Sequence, residues 1–156
     1  MAIFQTWRGA GCLFSLESGD APIQVFLGKR NYPPFRNYWS VVGGRMESAD
    51  RGDYFCAALR EANEETCGGI RIEDYLRRYL TLPLNPDSLE KQEIDLPFFK
   101  FVTFVVRLTA IPSRQIWPKL NFEFTDGQWF ASNQLPSSHV HPFVRELAGR
   151  LTQSVA

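Results

Sequence analysis

At about 100° per residue, segment 55–66 divides into two helical faces. Phe55, Ala58, Leu59 and Ala62 recur at i, i+3, i+4, i+7, the spacing of a buried stripe. Glu61, Glu64 and Glu65 fall together within an arc of about 100° on the other side. The segment therefore asks for a helix docked by one face, with its carboxylates crowded on the other. Like charges at this spacing destabilise a helix. A hard divalent cation such as Mg²⁺, which takes oxygen ligands, turns the same cluster into a favourable arrangement. A solvated acidic face is the plainer alternative, since Glu is a good helix former, and the rest of the chain has to decide between them.

The helix has legible ends. Asp53 is an N-cap candidate, and Gly68-Gly69 offers a left-handed position past the C-terminus. Upstream, residues 39–42 read as a short strand running into Gly43-Gly44. Residues 9–16 and 23–28 are apolar and flank a Gly19-Asp20 turn, so they predict a hairpin. Residues 97–109 carry Phe98, Phe99, Phe101, Val102, Phe104, Val105 and Val106. Such a run suits a strand covered on both faces, hence a sheet between helices. Residues 79–84 read as a strand ended by prolines, 85–95 as a polar loop, and 122–124 and 128–131 as strands flanking an Asp126-Gly127 turn. Pro142 opens a last helix through about Thr152. Segment 70–76 has no clear pattern. The fold class is α/β, a mixed β-sheet within an α/β/α sandwich, and 1–156 reads as a single domain.

Composition excludes several functions. Seventeen basic and seventeen acidic residues cancel, and no basic run occurs, so a nucleic-acid polymer is not the expected partner. A compact phosphorylated small molecule, which needs only a few cations, fits better. Cys12, Cys56 and Cys67 are odd in number and widely spaced, which predicts a reduced, cytoplasmic protein. Neither a signal peptide nor a membrane-spanning run is evident, so no membrane partner is expected. The oligomeric state, including a homodimer, stays open.

A strand, Gly-Gly, a loop and a helix carrying Arg60-Glu61-Ala62-Asn63-Glu64-Glu65 together resemble the Nudix hydrolases. Their box runs Gly, five residues, Glu, seven residues, then Arg-Glu-aliphatic-x-Glu-Glu-x-Gly. The resemblance implies a Nudix-like domain in which Glu61, Glu64 and Glu65 bind Mg²⁺, or Mn²⁺ in its place. Arg60 would pair with a carboxylate and hold its orientation. Glu123, ahead of Trp129 and Leu135-Pro136, is similar to the family's late acidic loop and is a candidate base alongside Glu64 and Glu65. Arg30, ending the second strand, is a candidate phosphate contact, and Gly43 and Gly44 would let the backbone approach substrate and metal. Glu47 is read as shaping the loop, as joining an outer metal shell, or as a solvated charge.

The first half of the box departs from the family pattern. Counting from Gly44 the box glutamate falls on Asp50, and counting back from Arg60 it falls on Gly52, so the loop is two residues longer. Asp50 is the candidate substitute. Cys67 stands at the box glycine, and Val42 replaces a frequent proline.

Other signals are weaker. His139 and His141 form an HxH pair, read as part of a loop leading into the last helix. Tyr32, Phe35, Tyr38, Trp39 and Trp117 are stacking candidates that mostly serve cores. Pro83 lies about where ADP-ribose-cleaving relatives carry a proline, and does not choose a substrate.

The expected activity is Mg²⁺-dependent hydrolysis of the pyrophosphate linkage in a nucleoside diphosphate joined to another group. The alternatives are a nucleotide-binding sensor on the same fold, or an isomerase needing a Cys and a Glu across the pocket.

Overall fold

The structure is a computed structural model that describes residues 6–68, 71–112 and 117–153. Its centre is a seven-stranded mixed sheet. Strand β1 (Trp7–Leu16) lies parallel to β6 (Phe99–Leu108) along its whole length, from Trp7 opposite Phe99 to Leu16 opposite Leu108. On its other edge, β1 pairs with β4 (Val42–Arg45) through Gly9–Cys12 and with β2 (Gln24–Arg30) only through Ser15 and Leu16. β2 also pairs with β3 (Trp39–Ser40) and β7 (Phe124–Ala131), and β5 (Lys91–Leu96) closes the far edge against β6.

Period-2 alternation sends each strand's side chains to two cores. Ala10, Cys12, Phe14, Val102, Phe104 and Val106 face helix α1 (Tyr54–Thr66). Leu13, Val25, Leu27 and Val105 face Val144, Leu147 and Leu151 of α3 (Pro142–Gln153). The middle of β6 is buried on both faces, as its unbroken apolar run requires. α1 begins on Asp53, whose Oδ1 accepts from the N–H groups of Phe55 and Cys56. Its buried side is small, with Ala57, Ala58 and Ala62 all at zero exposure, so the helix axis comes close to the sheet.

Several sequence expectations are corrected. Residues 85–95 are not all loop, because Lys91–Leu96 form β5. An edge strand has one neighbour and points alternate residues to water, so Lys91, Glu93 and Asp95 are exposed while Gln92 is buried. Residues 79–84 are not a strand: one isolated bridge, Leu80 to Leu108, is all that forms. Asp126-Gly127 is not a turn either. β7 runs straight through it, opposite Lys29 and Gly28, because a Cβ on Gly127 would sit 2.4 Å from Leu120 and 2.7 Å from the Phe26 ring. There the glycine makes room for packing, with no reversal of the chain. The unassigned segment contains a short helix, α2 (Ile72–Leu76). Trp117 is core: it is fully buried, meets Phe14 edge-on at 4.8 Å and donates Nε1–H to Thr66 Oγ1 at 3.0 Å. Gly69, half of the expected helix stop, lies outside the described residues.

Candidate active site

Glu61 and Glu65, one turn apart on α1, are both buried, at 8% and 1% exposure. The sheet-facing side of the helix therefore carries carboxylates as well as alanines. Two features of β4 admit them. A Cβ on Gly44 would stand 2.5 Å from Glu61 Oε1, so a side chain at 44 would take the carboxylate's place. Gly43 N–H donates to Glu65 Oε2 at 3.3 Å.

Glu123 arrives from the loop before β7. Lys119 N–H donates to Thr66 O and Asn121 N–H to Glu65 O, which ties this loop to the carbonyls ending α1. Asn31 completes the fixture, with its N–H to Glu123 O at 2.9 Å and its Nδ2 to Phe122 O at 3.0 Å. One carboxylate oxygen from each of Glu61, Glu65 and Glu123 then lies within 4.8 Å of the others.

Three carboxylates at this spacing cannot all stay ionised. Burial first, then the neighbouring Glu61 and Glu123, push Glu65 well above the ordinary carboxylate range. Burial also raises Glu61, against the pull of its Arg60 neighbour. Glu65 Oε1 is buried with no hydrogen-bond donor among the described residues. An orphaned carboxylate oxygen facing two more carboxylates fits a hard divalent cation.

Glu64, the third expected ligand, stands apart from this trio. Its side chain is 51% exposed and its Oε2 lies 3.4 Å from Arg60 Nη1. Arg60 is held by several oxygens. Asp50 takes it in a fork, Oδ1 from Nε at 3.0 Å and Oδ2 from Nη2 at 2.9 Å. Arg45 O accepts from Nη2, and Glu61 lies 3.1 Å and Glu47 3.4 Å from Nη1. Asp50 is thus the loop's buried anchor on the arginine, and that hydrogen-bonded guanidinium holds its carboxyl below the usual range. The longer loop closes through Arg51 and Gly52, consecutive residues with φ of 53° and 75°. Cys67 sits at the C-cap with φ −123°, where glycine is not needed, and Gly68 takes the left-handed turn at φ +62°.

A cleft of about 570 Å³ opens from Glu61 and Glu123 along the α3 side of the sheet. Arg30, Gly43, Gly44, Arg45 and Glu47 line it beside the acids. Arg30 Nε is spent on Pro34 O at 3.0 Å. Tyr32 and Phe35, about half exposed, stand at the cleft, and Tyr38 packs edge-on against Phe35. Trp39 packs against Phe130 instead. His141 lines the cleft, while His139 pairs with Ser138 and Tyr38, so the two do not form a metal pair. Burial, then Arg30, lower His141 below the usual imidazole range.

Sequence reasoning missed Trp7, Phe99, Phe101, Gln92 and Thr103, which also line the cleft. The available signal was alternation: Phe99, Phe101 and Thr103 share one face of β6.

Fold and site together present an acidic helix packed against a Gly-Gly strand, with three carboxylates gathered beside a cleft. The chain belongs to the Nudix family: the NUDIX domain model matches residues 6–151, which makes it a Nudix-type pyrophosphohydrolase. Comparison with curated proteins finds no match. Among solved structures, the chain is similar to a C. elegans Ap4A hydrolase in a binary complex, with 18% identity, TM-score 0.68, and coverage of 96% of this chain and 98% of that one. It is also similar to the NUDIX domain of Shewanella oneidensis NrtR complexed with ADP ribose, with 14% identity, TM-score 0.63, and coverage of 97% and 89%. A bifunctional NMN adenylyltransferase/ADP ribose pyrophosphatase from Francisella tularensis, complexed with AMP and a Mn ion, matches at 16% identity and TM-score 0.66. That match covers all of this chain and 44% of the other.

Proposed function

We propose that this chain hydrolyses the pyrophosphate linkage of a nucleoside diphosphate derivative, with Mg²⁺ or Mn²⁺ held at Glu61, Glu65 and Glu123. The observation that carries the reading is the buried, donorless Glu65 Oε1 facing two further carboxylates at the end of a cleft. A divalent cation held there by Glu61 and Glu65 would supply neutralisation of phosphate charge and a more acidic water. The chain's own groups do the rest. Glu61 and Glu65 present oxygens from a rigid helix, and Arg60 fixes the loop beside them. Gly43 and Gly44 let the diphosphate approach the backbone, and Arg30 and Arg45 offer positive charge along the cleft. A carboxylate must accept a proton from the attacking water, and Glu123, the exposed member of the trio, would do so with the oxygen it does not offer to the cation. Glu64 joins the ligands if it releases its 3.4 Å contact with Arg60.

Ligands named for the neighbours, ADP ribose and AMP with a Mn ion, support a nucleotide substrate. The sensor alternative drew on the altered half of the box, and the Asp50–Arg60 fork weighs against it. The isomerase needs a cysteine in the cleft, and among the described residues none lines it.

The test is incubation with Mg²⁺ and a panel of nucleoside diphosphate derivatives, dinucleoside polyphosphates and nucleoside triphosphates, with products identified by mass. Release of a nucleoside monophosphate from a diphosphate derivative is expected, together with its loss in Glu61→Gln and Glu65→Gln. Undiminished turnover in both variants would sink the mechanism.

A further inference from the structure

The three carboxylates of the site are held in unequal ways. Glu61 and Glu65 stand buried on α1. Glu123 is exposed and lies in a turn one residue before β7. The β2–β7 ladder does not fix it. Lys29 lies opposite Asp126 and Arg30 opposite Phe124, so Thr125 is an extra residue that breaks the register beside Glu123. Two asparagines take over where the ladder fails. Asn31 N–H donates to Glu123 O at 2.9 Å, and Glu123 N–H donates to Asn121 Oδ1 at 3.1 Å. Both polar groups of the Glu123 backbone are therefore tied to an asparagine. Asn31 Nδ2 adds a bond to Phe122 O at 3.0 Å, and Tyr32 meets the Phe122 ring edge-on at 6.3 Å. Each asparagine is itself anchored. Asn121 N–H donates to Glu65 O at 3.1 Å, near the end of α1, and Asn31 O accepts from Arg36 Nε at 3.1 Å.

Resting on the cation site proposed above, we propose that Asn31 and Asn121 are positioning residues that hold the Glu123 carboxylate beside Glu61 and Glu65. An exposed glutamate in a turn has to give up backbone and side-chain freedom before its oxygen can serve a buried pair. The asparagines remove the backbone share of that freedom. Their amides suit the task because one side chain type supplies both a donor, for Phe122 O, and an acceptor, for Glu123 N–H. Asn121 does so as an Asx-turn, bonding the backbone two residues on. Without a cation, Glu61 and Glu65 repel an ionised Glu123, so the tethers keep the third carboxylate where its neighbours would push it out. A cation reverses the sign of that interaction. With the tethers cut, Glu123 turns to water and the site keeps only the two helix carboxylates.

The test is a double-mutant cycle read by calorimetric titration of Mn²⁺ into the metal-free protein, which does not depend on turnover. Asn31→Ala and Asn121→Ala each remove one side-chain tether from a half-buried position, and circular dichroism verifies that both variants are folded. Each should weaken Mn²⁺ binding about three- to tenfold, the worth of one lost hydrogen bond. In a Glu123→Gln background neither should weaken it further, because the carboxylate they position is gone. Full Mn²⁺ affinity in both folded variants overturns the proposal and leaves the cation site standing. An equal loss in the Glu123→Gln background also overturns it, since the asparagines would then act on the helix carboxylates or on the fold. Absence of saturable Mn²⁺ binding by the wild type would remove the cation site and this proposal with it.

Discussion

Arg60 gathers Asp50, Glu61, Glu64, Glu47 and a backbone carbonyl around one guanidinium, so its neighbours answer for the shape of the site. Asp50→Asn keeps the size of the residue and loses the fork. It should cost about 1–3 kcal/mol in urea unfolding at neutral pH. The pH dependence has a definite sign. Because the folded Asp50 carboxyl lies below its ordinary value of 3.8, its contribution is complete above that value. It fades as pH falls through the lower folded value. Acid titration of stability should therefore show a component that Asp50→Asn lacks; identical acid limbs would contradict the pairing. At Gly44, alanine puts a Cβ 2.5 Å from Glu61 Oε1. Gly44→Ala should lower kcat/KM on the order of 10²-fold through displacement of that carboxylate, and an unchanged kcat/KM would show that Glu61 need not stay there.

At the scale of elements, α1 was legible because its cues agree: an N-cap aspartate, alanines at helical spacing and a glycine past its end. Its burial was less legible. Periodicity set Glu61 and Glu65 opposite the apolar face, whereas both are buried, because Gly44 leaves room for the Glu61 carboxylate and Gly43 N–H donates to Glu65. β5 was hidden by its own edge position, since half its residues meet water and its charge reads as loop. Asp126-Gly127 misled because glycine serves turns and tight packing alike, and only the opposing Phe26 and Leu120 tell which. The cleft's aromatic platform depends on a parallel β1–β6 pairing between segments far apart in sequence, which local pattern does not reveal. The end of α1 offers a further test. Thr66 Oγ1 accepts from the buried Trp117 indole and donates to Ala62 O at 2.7 Å. Thr66→Val should cost about 1–3 kcal/mol by leaving the indole N–H unpaired. An unchanged midpoint in denaturant would show that the bond is not needed.

Across the whole molecule, the sheet separates two cores, and the candidate site residues collect where the short β4 pairs with β1 beside α1. No described helix is long and apolar enough to cross a membrane. Thiol access follows the same division. Cys12 lies in the core under α1, its thiol pushed up to about 12 by burial and by Glu65, whereas Cys56 is exposed. Alkylation of the native protein followed by peptide mass analysis should mark Cys56 and spare Cys12; early labelling of Cys12 would mean that the α1 core opens readily.

If Glu61, Glu65 and Glu123 form the proposed divalent-cation site, its buried carboxyl releases a proton when the cation enters. Calorimetric titration of Mn²⁺ into the metal-free protein, in buffers of different ionisation enthalpy, measures both parts at once. Saturable binding with proton release is predicted for the wild-type protein, with both lost in Glu65→Gln. Equal Mn²⁺ affinity and equal proton release in the two proteins would contradict it.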